Sequence, residues 1–316
     1  MKRLGRIFFA AFAACLLICS AGAAADGKIR LGVMPFSSRA ESLTDAQAEI
    51  ITDLLINALA GSKSIVVMDG KTMEAIGVKF GLEANLDNLS GAAEIGRIAG
   101  LQYVMLGFIT ELEKGPRPLQ TMTGEISDIS ATIQARVVDV NTSEVVLALS
   151  ESGTSSNYAT AQGNSVLPIL NRSLPQMYAA ASAPVERESV HAISDAVWRM
   201  SHMIRTEIAG EYSYVVSEKR GKFTIDVGSE LGARTGHLYL AYADGEDVLG
   251  IDGKPLAKEK TPLALLRVDR SEAGYSVCSA VLGNGDVVRR GDKIEPITAD
   301  DAKKIAPELP KKRPEF

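Results

Sequence analysis

Cysteine, histidine and tryptophan are nearly absent from this 316-residue chain, at three, three and one copies. Two cysteines, Cys15 and Cys19, fall in the first 25 residues, which leaves Cys278 alone in the rest. One thiol cannot close an intramolecular disulfide, so stability must come from packed cores. After residue 25 no apolar run reaches the ~18 residues that a membrane-spanning helix needs. No serine sits in a G-x-S-x-G elbow, which removes the commonest hydrolase signature. Aromatic residues make up only 5% of the chain.

What is present begins at the N-terminus. Lys2, Arg3 and Arg6 form a short basic segment, Ile7–Cys19 is apolar, and Ala21–Ala25 is a tract of small residues. This is the pattern of a secretory signal peptide over residues 1–25, with cleavage expected between Ala25 and Asp26. The flanks of Cys15 and Cys19 fit lipid attachment poorly: Ile18 is large before Cys19, and the apolar run before Cys15 is short. The signal implies a periplasmic address, with outer-membrane association as a further expectation. It removes three of the 34 basic residues and none of the 39 acidic ones, so the remainder carries 31 − 39 = −8. A chain this acidic is not built to coat nucleic acid or anionic headgroups. Nucleic acid and nucleotide are excluded as partners, and membrane contact is expected to be peripheral only.

Periodicity then divides the chain. Ile29–Phe36 reads as a strand, and Ile50, Ile51, Leu54, Leu55, Ala58 and Leu59 recur at helical spacing behind a Thr44/Gln47 capping box. Ile65–Met68 is a short buried strand. Asp69 is placed to cap a helix over 73–80, and a second helix runs from Ser90 to Gly100. Tyr103–Ile109 is again a strand. Ile129, Ala131, Ile133, Ala135 and Val137 alternate with polar residues, turn at Asn141–Ser143 and return over 144–149 as a hairpin. Residues 154–188 show no period and read as a loop or insertion. A helix with a stripe of Val190, Ile193, Val197, Met200, Ile204 and Ile208 follows. From Tyr212 the texture is short strands and Gly-rich turns, which suggests a small SH3- or OB-like barrel. The expected fold class is α/β: a mixed sheet flanked by helices over 26–211, an all-β barrel over 212–297, and a disordered tail over 298–316.

Candidate chemistry is thin. His191 and His202 share a helix with Asp195, but eleven residues rise ~16 Å, too far for shared metal ligation. They read as the polar flank of an amphipathic helix. Gly228, Gly232 and Gly236 run from strand to strand, so they read as barrel corners with φ > 0 rather than a phosphate loop. Asp244, Glu246, Asp247 and Asp252 miss the EF-hand spacing, and Asp244-Gly245 and Asp252-Gly253 read as turns. Cys278 reads as a small core filler. No catalytic, cofactor-binding or metal-ligating residues are assigned, and the chain is expected not to be an enzyme.

Four stretches carry a resemblance: Ile29–Phe36, Asp45–Ala60, the phrase IGRIAGLQYV over 95–104, and VVDVNTSEVV over 137–146. Together they resemble the curli production assembly/transport component (CsgG-like) family, whose α/β domain is shared with the N-terminal domain of TolB, penicillin-binding-protein activators and FlgT. The resemblance covers about residues 28–153 and the helix 190–209. It implies a non-enzymatic scaffold or accessory for envelope or secretion-apparatus assembly, with envelope proteins as partners and self-association as a further option. The alternative it implies is an oligomeric outer-membrane secretion channel. Ser37–Ser42 lacks the aromatic constriction of the channel members, and residues 114–125 are too short for a membrane hairpin with its turn. The hairpin edge at 129–149 and the loop 154–188 are the expected partner surfaces.

Overall fold

The computed structural model describes residues 27–38, 45–85, 88–121, 124–155 and 184–314. The signal segment with its Ala25–Asp26 junction, the Thr44 capping residue and most of the 154–188 loop lie outside those residues.

Strand β1 (Ile29–Val33) is apolar at Leu31 and Val33 and becomes the parallel centre of the sheet. It pairs with β3 (Ile65–Met68) on one side and with β4 (Tyr103–Thr121) on the other. The path is β3-β1-β4-β5-β6, where β5 is Gly124–Asp139 and β6 is Val145–Thr154; β2 (Ser37–Ser38) joins β4 beyond β1. The expected 129–149 hairpin is the β5–β6 pair, with Ala135 opposite Leu149.

Helix α1 (Asp45–Ala60) and helix α4 (Pro184–Ala209) cover one face of the sheet. Ile51, Leu55 and Leu59 from α1 and Ile193, Val197, Met200 and Ile204 from α4 meet Leu31, Met105, Ile109 and Ile133. The other face takes α2 (Gly70–Phe80) and α3 (Leu89–Ile98), whose Met73 and Ile95 pack on Val104, Leu106 and Val138. Asp69 caps α2 by accepting from the Thr72 backbone N–H at 2.9 Å, as its side-chain type predicts. The α4 helix starts at Pro184, inside the stretch expected to be loop, because proline is well suited to a first helical turn.

The barrel closes in the order β10-β11-β8-β7-β12-β9. Its strands are β7 (Ser213–Lys219), β8 (Lys222–Ile225), β9 (Leu238–Leu249), β10 (Pro255–Ser271), β11 (Ser276–Gly283) and β12 (Lys293–Pro296). Phe223, Tyr239, Leu266, Cys278 and Ile294 fill it. Burial pushes the Cys278 thiol up to about 12, as suits a core residue. Gly232 and Gly236 hold φ of 85° and 91°. Gly228 differs: its backbone is extended, and a Cβ there would strike the carbonyl oxygens of Glu272 and Ala273.

Three further sequence expectations need correction. The tail is not disordered over its described part: Thr298 caps a helix α5 (Ala299–Ile305) through the Asp301 N–H, and Ala302, Ile305 and Leu309 pack on Leu240 and Leu265. Arg313 then makes a two-pronged pair with Asp292 at 2.8 Å. Asp244-Gly245 is not a turn, because β9 continues through both residues to Leu249. His191 and His202 are not on a polar flank; both are buried. For His202 the physical reason is that α4 is covered twice, by the sheet on its apolar stripe and by the barrel around Trp198 and Lys260.

Candidate partner-binding surfaces

Among the described residues β6 pairs only with β5, so it is an open edge of the sheet. Its inward residues Leu147 and Leu149 pack on the α1–α4 core, while Val145 and Val146 are exposed at its start. An open edge offers backbone N–H and C=O groups to a partner strand.

A buried charge cluster fixes where this edge stands. Arg199 of α4 donates through Nη1 to Asp195 at 2.9 Å and through Nε to Glu151 of β6 at 3.3 Å. Asp195 also accepts from the Thr154 backbone N–H at 3.3 Å. The edge strand is thus tied to α4 along its far half. Burial holds the Glu151 carboxyl above its ordinary range, outweighing the Arg199 guanidinium that favours its ionised form. Gly153 lets the helix approach: a Cβ there would collide with the Ala192 carbonyl oxygen and the Ala196 amide.

The C-terminal half of α4 builds a second polar seam, toward the barrel. Trp198 stacks on His237 with ring centroids 3.9 Å apart, and its indole N–H donates to the Tyr239 hydroxyl at 3.2 Å. Arg205 is almost wholly buried and reaches Glu211 at 3.5 Å. Glu211 in turn accepts from the Ser62 hydroxyl at 2.5 Å, so the linker into the barrel is anchored on the turn after α1. Burial drives the His202 imidazole down to about 3, with the Arg205 and Lys260 charges adding to the effect.

The residues weighed as metal or catalytic candidates are therefore dispersed. Asp195 is committed to Arg199, and His202 faces Thr206 at 3.5 Å. Among the described residues no three His, Cys, Asp or Glu side chains are grouped to hold a metal ion. Asp244 is engaged by Lys293 at 2.8 Å and Asp247 by Lys258 at 3.3 Å. Sequence reasoning missed the Glu151–Arg199–Asp195 cluster. The signal in reach was Asp195 and Arg199 at i, i+4 on one helix, but nothing local pointed to Glu151.

The β4–β5 hairpin extends past the rest of the sheet. Its outer rungs pair Pro118 with Ser127 and Thr121 with Gly124. Among the described residues the last β5–β6 rung is Ser130 with Thr154, and beyond it β5 runs on to Gly124 and β4 to Thr121.

A sheet with helices on both faces, a closed barrel docked on one helix, and an edge strand that is open among the described residues and held by buried charges define an α/β protein with a barrel appended. The family model of the curli production assembly/transport component CsgG matches residues 15–223. That span exceeds half of the chain, and the chain belongs to the CsgG family. Solved structures give partial likenesses. The LpoB C-terminal domain from Salmonella enterica is 19% identical over 44% of this chain and 90% of that chain, with a TM-score of 0.30. The PelC dodecamer from Paraburkholderia phytofirmans is 16% identical over 40% and 72%, with a TM-score of 0.25. TolB from Acinetobacter baumannii is 11% identical over 87% and 61%, with a TM-score of 0.33. No curated protein matches the chain.

Proposed function

We propose that this chain is a non-enzymatic periplasmic scaffold or accessory protein that serves assembly of the envelope or of a secretion apparatus. The observation that carries the reading is membership of the CsgG family. The N-terminal signal pattern supports the compartment. The open β6 edge supports the mode of action, strand addition by a partner protein. Preorganisation matters for such docking, because an edge already held straight spends less ordering entropy on binding. The Glu151–Arg199–Asp195 cluster supplies that rigidity.

The test is affinity capture from envelope extracts with the chain and its Val146→Lys variant. Val146 is exposed on the edge, so stability should change by no more than about 0.5 kcal/mol. Capture of an envelope protein should fall at least about tenfold, because a lysine on an edge blocks pairing. Recovery of the chain from the cytoplasm, or capture indifferent to the substitution, would count against the reading.

The family description includes transport, which favours a second reading as an oligomeric outer-membrane channel component. The lack of an aromatic in Ser37–Ser42 and the poor fit of Cys15 and Cys19 to lipid attachment weigh against it. Native mass without detergent separates the two: the scaffold stays soluble, and the channel forms a ring that requires detergent.

A further inference from the structure

The β9–β10 pair runs well beyond the barrel wall. Strand β12 pairs with β9 only at Tyr239–Tyr242, and β11 pairs with β10 only from Ala264 onward. From there to the turn, β9 and β10 pair with each other alone among the described residues, out to the rung of Leu249 with Pro255. The end of this arm is apolar and bare. Val248 and Leu249 come from β9, Ile251 from the turn and Leu256 from β10; Leu249 is 60% exposed, Leu256 72%, and Ile251 wholly so. Isolated exposed leucines are ordinary, whereas four large apolar side chains gathered on one projecting tip mark a contact.

The edges of the arm are unsuited to pairing with a partner strand. The β10 side carries Pro255, Lys258, Lys260 and Pro262, residues that block edge pairing. The β9 side carries Asp244, Glu246 and Asp247. Contact must therefore be made by the tip side chains. The charges around the tip are largely cancelled in place: Asp247 pairs with Lys258 at 3.3 Å and Asp252 with Lys254 at 3.4 Å. A convex, apolar, nearly neutral end without a usable edge fits a fluid apolar medium, which needs no complementary groove.

We propose that the β9–β10 arm is a lipid wedge that sets its tip into the interfacial layer of a phospholipid bilayer. From Val248 at the end of β9 to Gly250, where the turn begins, is two residue steps, roughly 7 Å at ~3.3 Å each. That matches the ~5–10 Å depth to which interfacial elements are buried. The Asp247–Lys258 rung then sits at headgroup level, and Lys254 at the turn extends its long stem to keep its charge in water. Residues 246–258 hold three acidic and two basic side chains, so attachment does not depend on anionic lipid. One wedge of this size gives weak, reversible attachment. The location of the bilayer rests on the envelope reading above; the ability of the arm to bind does not.

Flotation of the purified chain tests this, with vesicles of phosphatidylcholine and with vesicles of phosphatidylethanolamine and phosphatidylglycerol. The chain should float with both, and high salt should not release it. The combined Leu249→Ser, Ile251→Ser and Leu256→Ser variant should lose at least about tenfold in partitioning with an unchanged melting temperature, since these side chains support no core. An Ile251→Trp variant should shift its emission to the blue on vesicle addition. Failure of the chain to float, or flotation unaffected by the triple variant, overturns the proposal. A triple variant that changes native mass rather than flotation also overturns it, in favour of a protein contact. Cytoplasmic recovery of a chain that still floats would sink the envelope reading and leave the wedge standing.

Discussion

The indole of Trp198 lies over the imidazole of His237, ring centroids 3.9 Å apart with 26° between the planes. The two residues belong to different parts of the fold. Trp198 projects from α4, whose other face closes the sheet, and His237 precedes β9 in the barrel. This contact, with the Trp198–Tyr239 hydrogen bond, seats the barrel on the sheet domain.

Trp198→Ala should cost about 3–5 kcal/mol, the range for removing a buried large aromatic. Trp198 is the one tryptophan of the chain, so its emission reports on this seam directly. We expect the fluorescence and far-ultraviolet circular dichroism transitions of the unmodified chain to coincide in urea. In Trp198→Phe, with tyrosine emission, to which the barrel contributes Tyr212, Tyr214, Tyr239, Tyr242 and Tyr275 of the eight tyrosines, we expect them to separate as the seat weakens. Separate transitions already in the unmodified chain would show that 26–211 and 212–297 fold independently.

Arg199→Ala should cost about 3–5 kcal/mol, because it strands Asp195, 1% exposed, in the interior without its countercharge. Glu151→Gln should cost less, since it removes a charge that is itself penalised by burial. Chemical denaturation of both variants checks the order. Hydrogen exchange should show β6 amides less protected in Arg199→Ala.

Acid should weaken the fold through its buried histidines. His202 is held down to about 3 against an ordinary 6.5, and His237 is also lowered well below 6.5, both chiefly by burial. Below pH 6.5 the unfolded chain takes up protons that these side chains refuse when folded. Stability is therefore full above 6.5 and falls as pH drops toward 3. The slope is up to about 1.4 kcal/mol per pH unit for each histidine. Glu151 and Asp226 act in the opposite sense, because burial raises their folded pKa. They cost stability as pH rises from the ordinary carboxylate range to their raised folded values, which partly offsets the histidine effect where the two windows overlap. Urea midpoints at pH 7.5, 6.0 and 5.0 should decline, and His202→Gln should flatten the decline.

Removing residues 298–314 should destabilise the barrel by about 2–4 kcal/mol, because it uncovers Leu240 and Leu265. Arg313→Ala alone should cost about 1–3 kcal/mol, since Asp292 is 5% exposed and keeps only the Arg289 N–H of its described partners. Thermal melts of the two variants check this. Equal stability with and without the tail would refute the packing role.

Local chemistry made much of the fold legible. Asp69 caps α2 where its side-chain type requires, and Ile129 to Val137 alternate because one face of β5 meets the helices. Thr298 with Asp301 three residues on was an equally readable cap, yet the charge and proline content of the tail masked it. The β9–β10 arm was not legible, because its acidic and glycine residues resemble a turn when β10 is not yet known to lie opposite. His202 and Arg205 were not legible either: both are polar residues off the apolar stripe of α4, and their burial depends on the barrel.

By itself the sequence determined the element types, the two-part organisation and the family, since these follow from local periodicity, capping and phrases of neighbouring residues. The tertiary structure alone decided which polar groups are buried, where Glu151 meets Arg199, and which apolar side chains remain bare on the arm. Those outcomes depend on contacts between residues far apart in the chain. A helix such as α4 carries no local mark that says a second domain will cover its polar side.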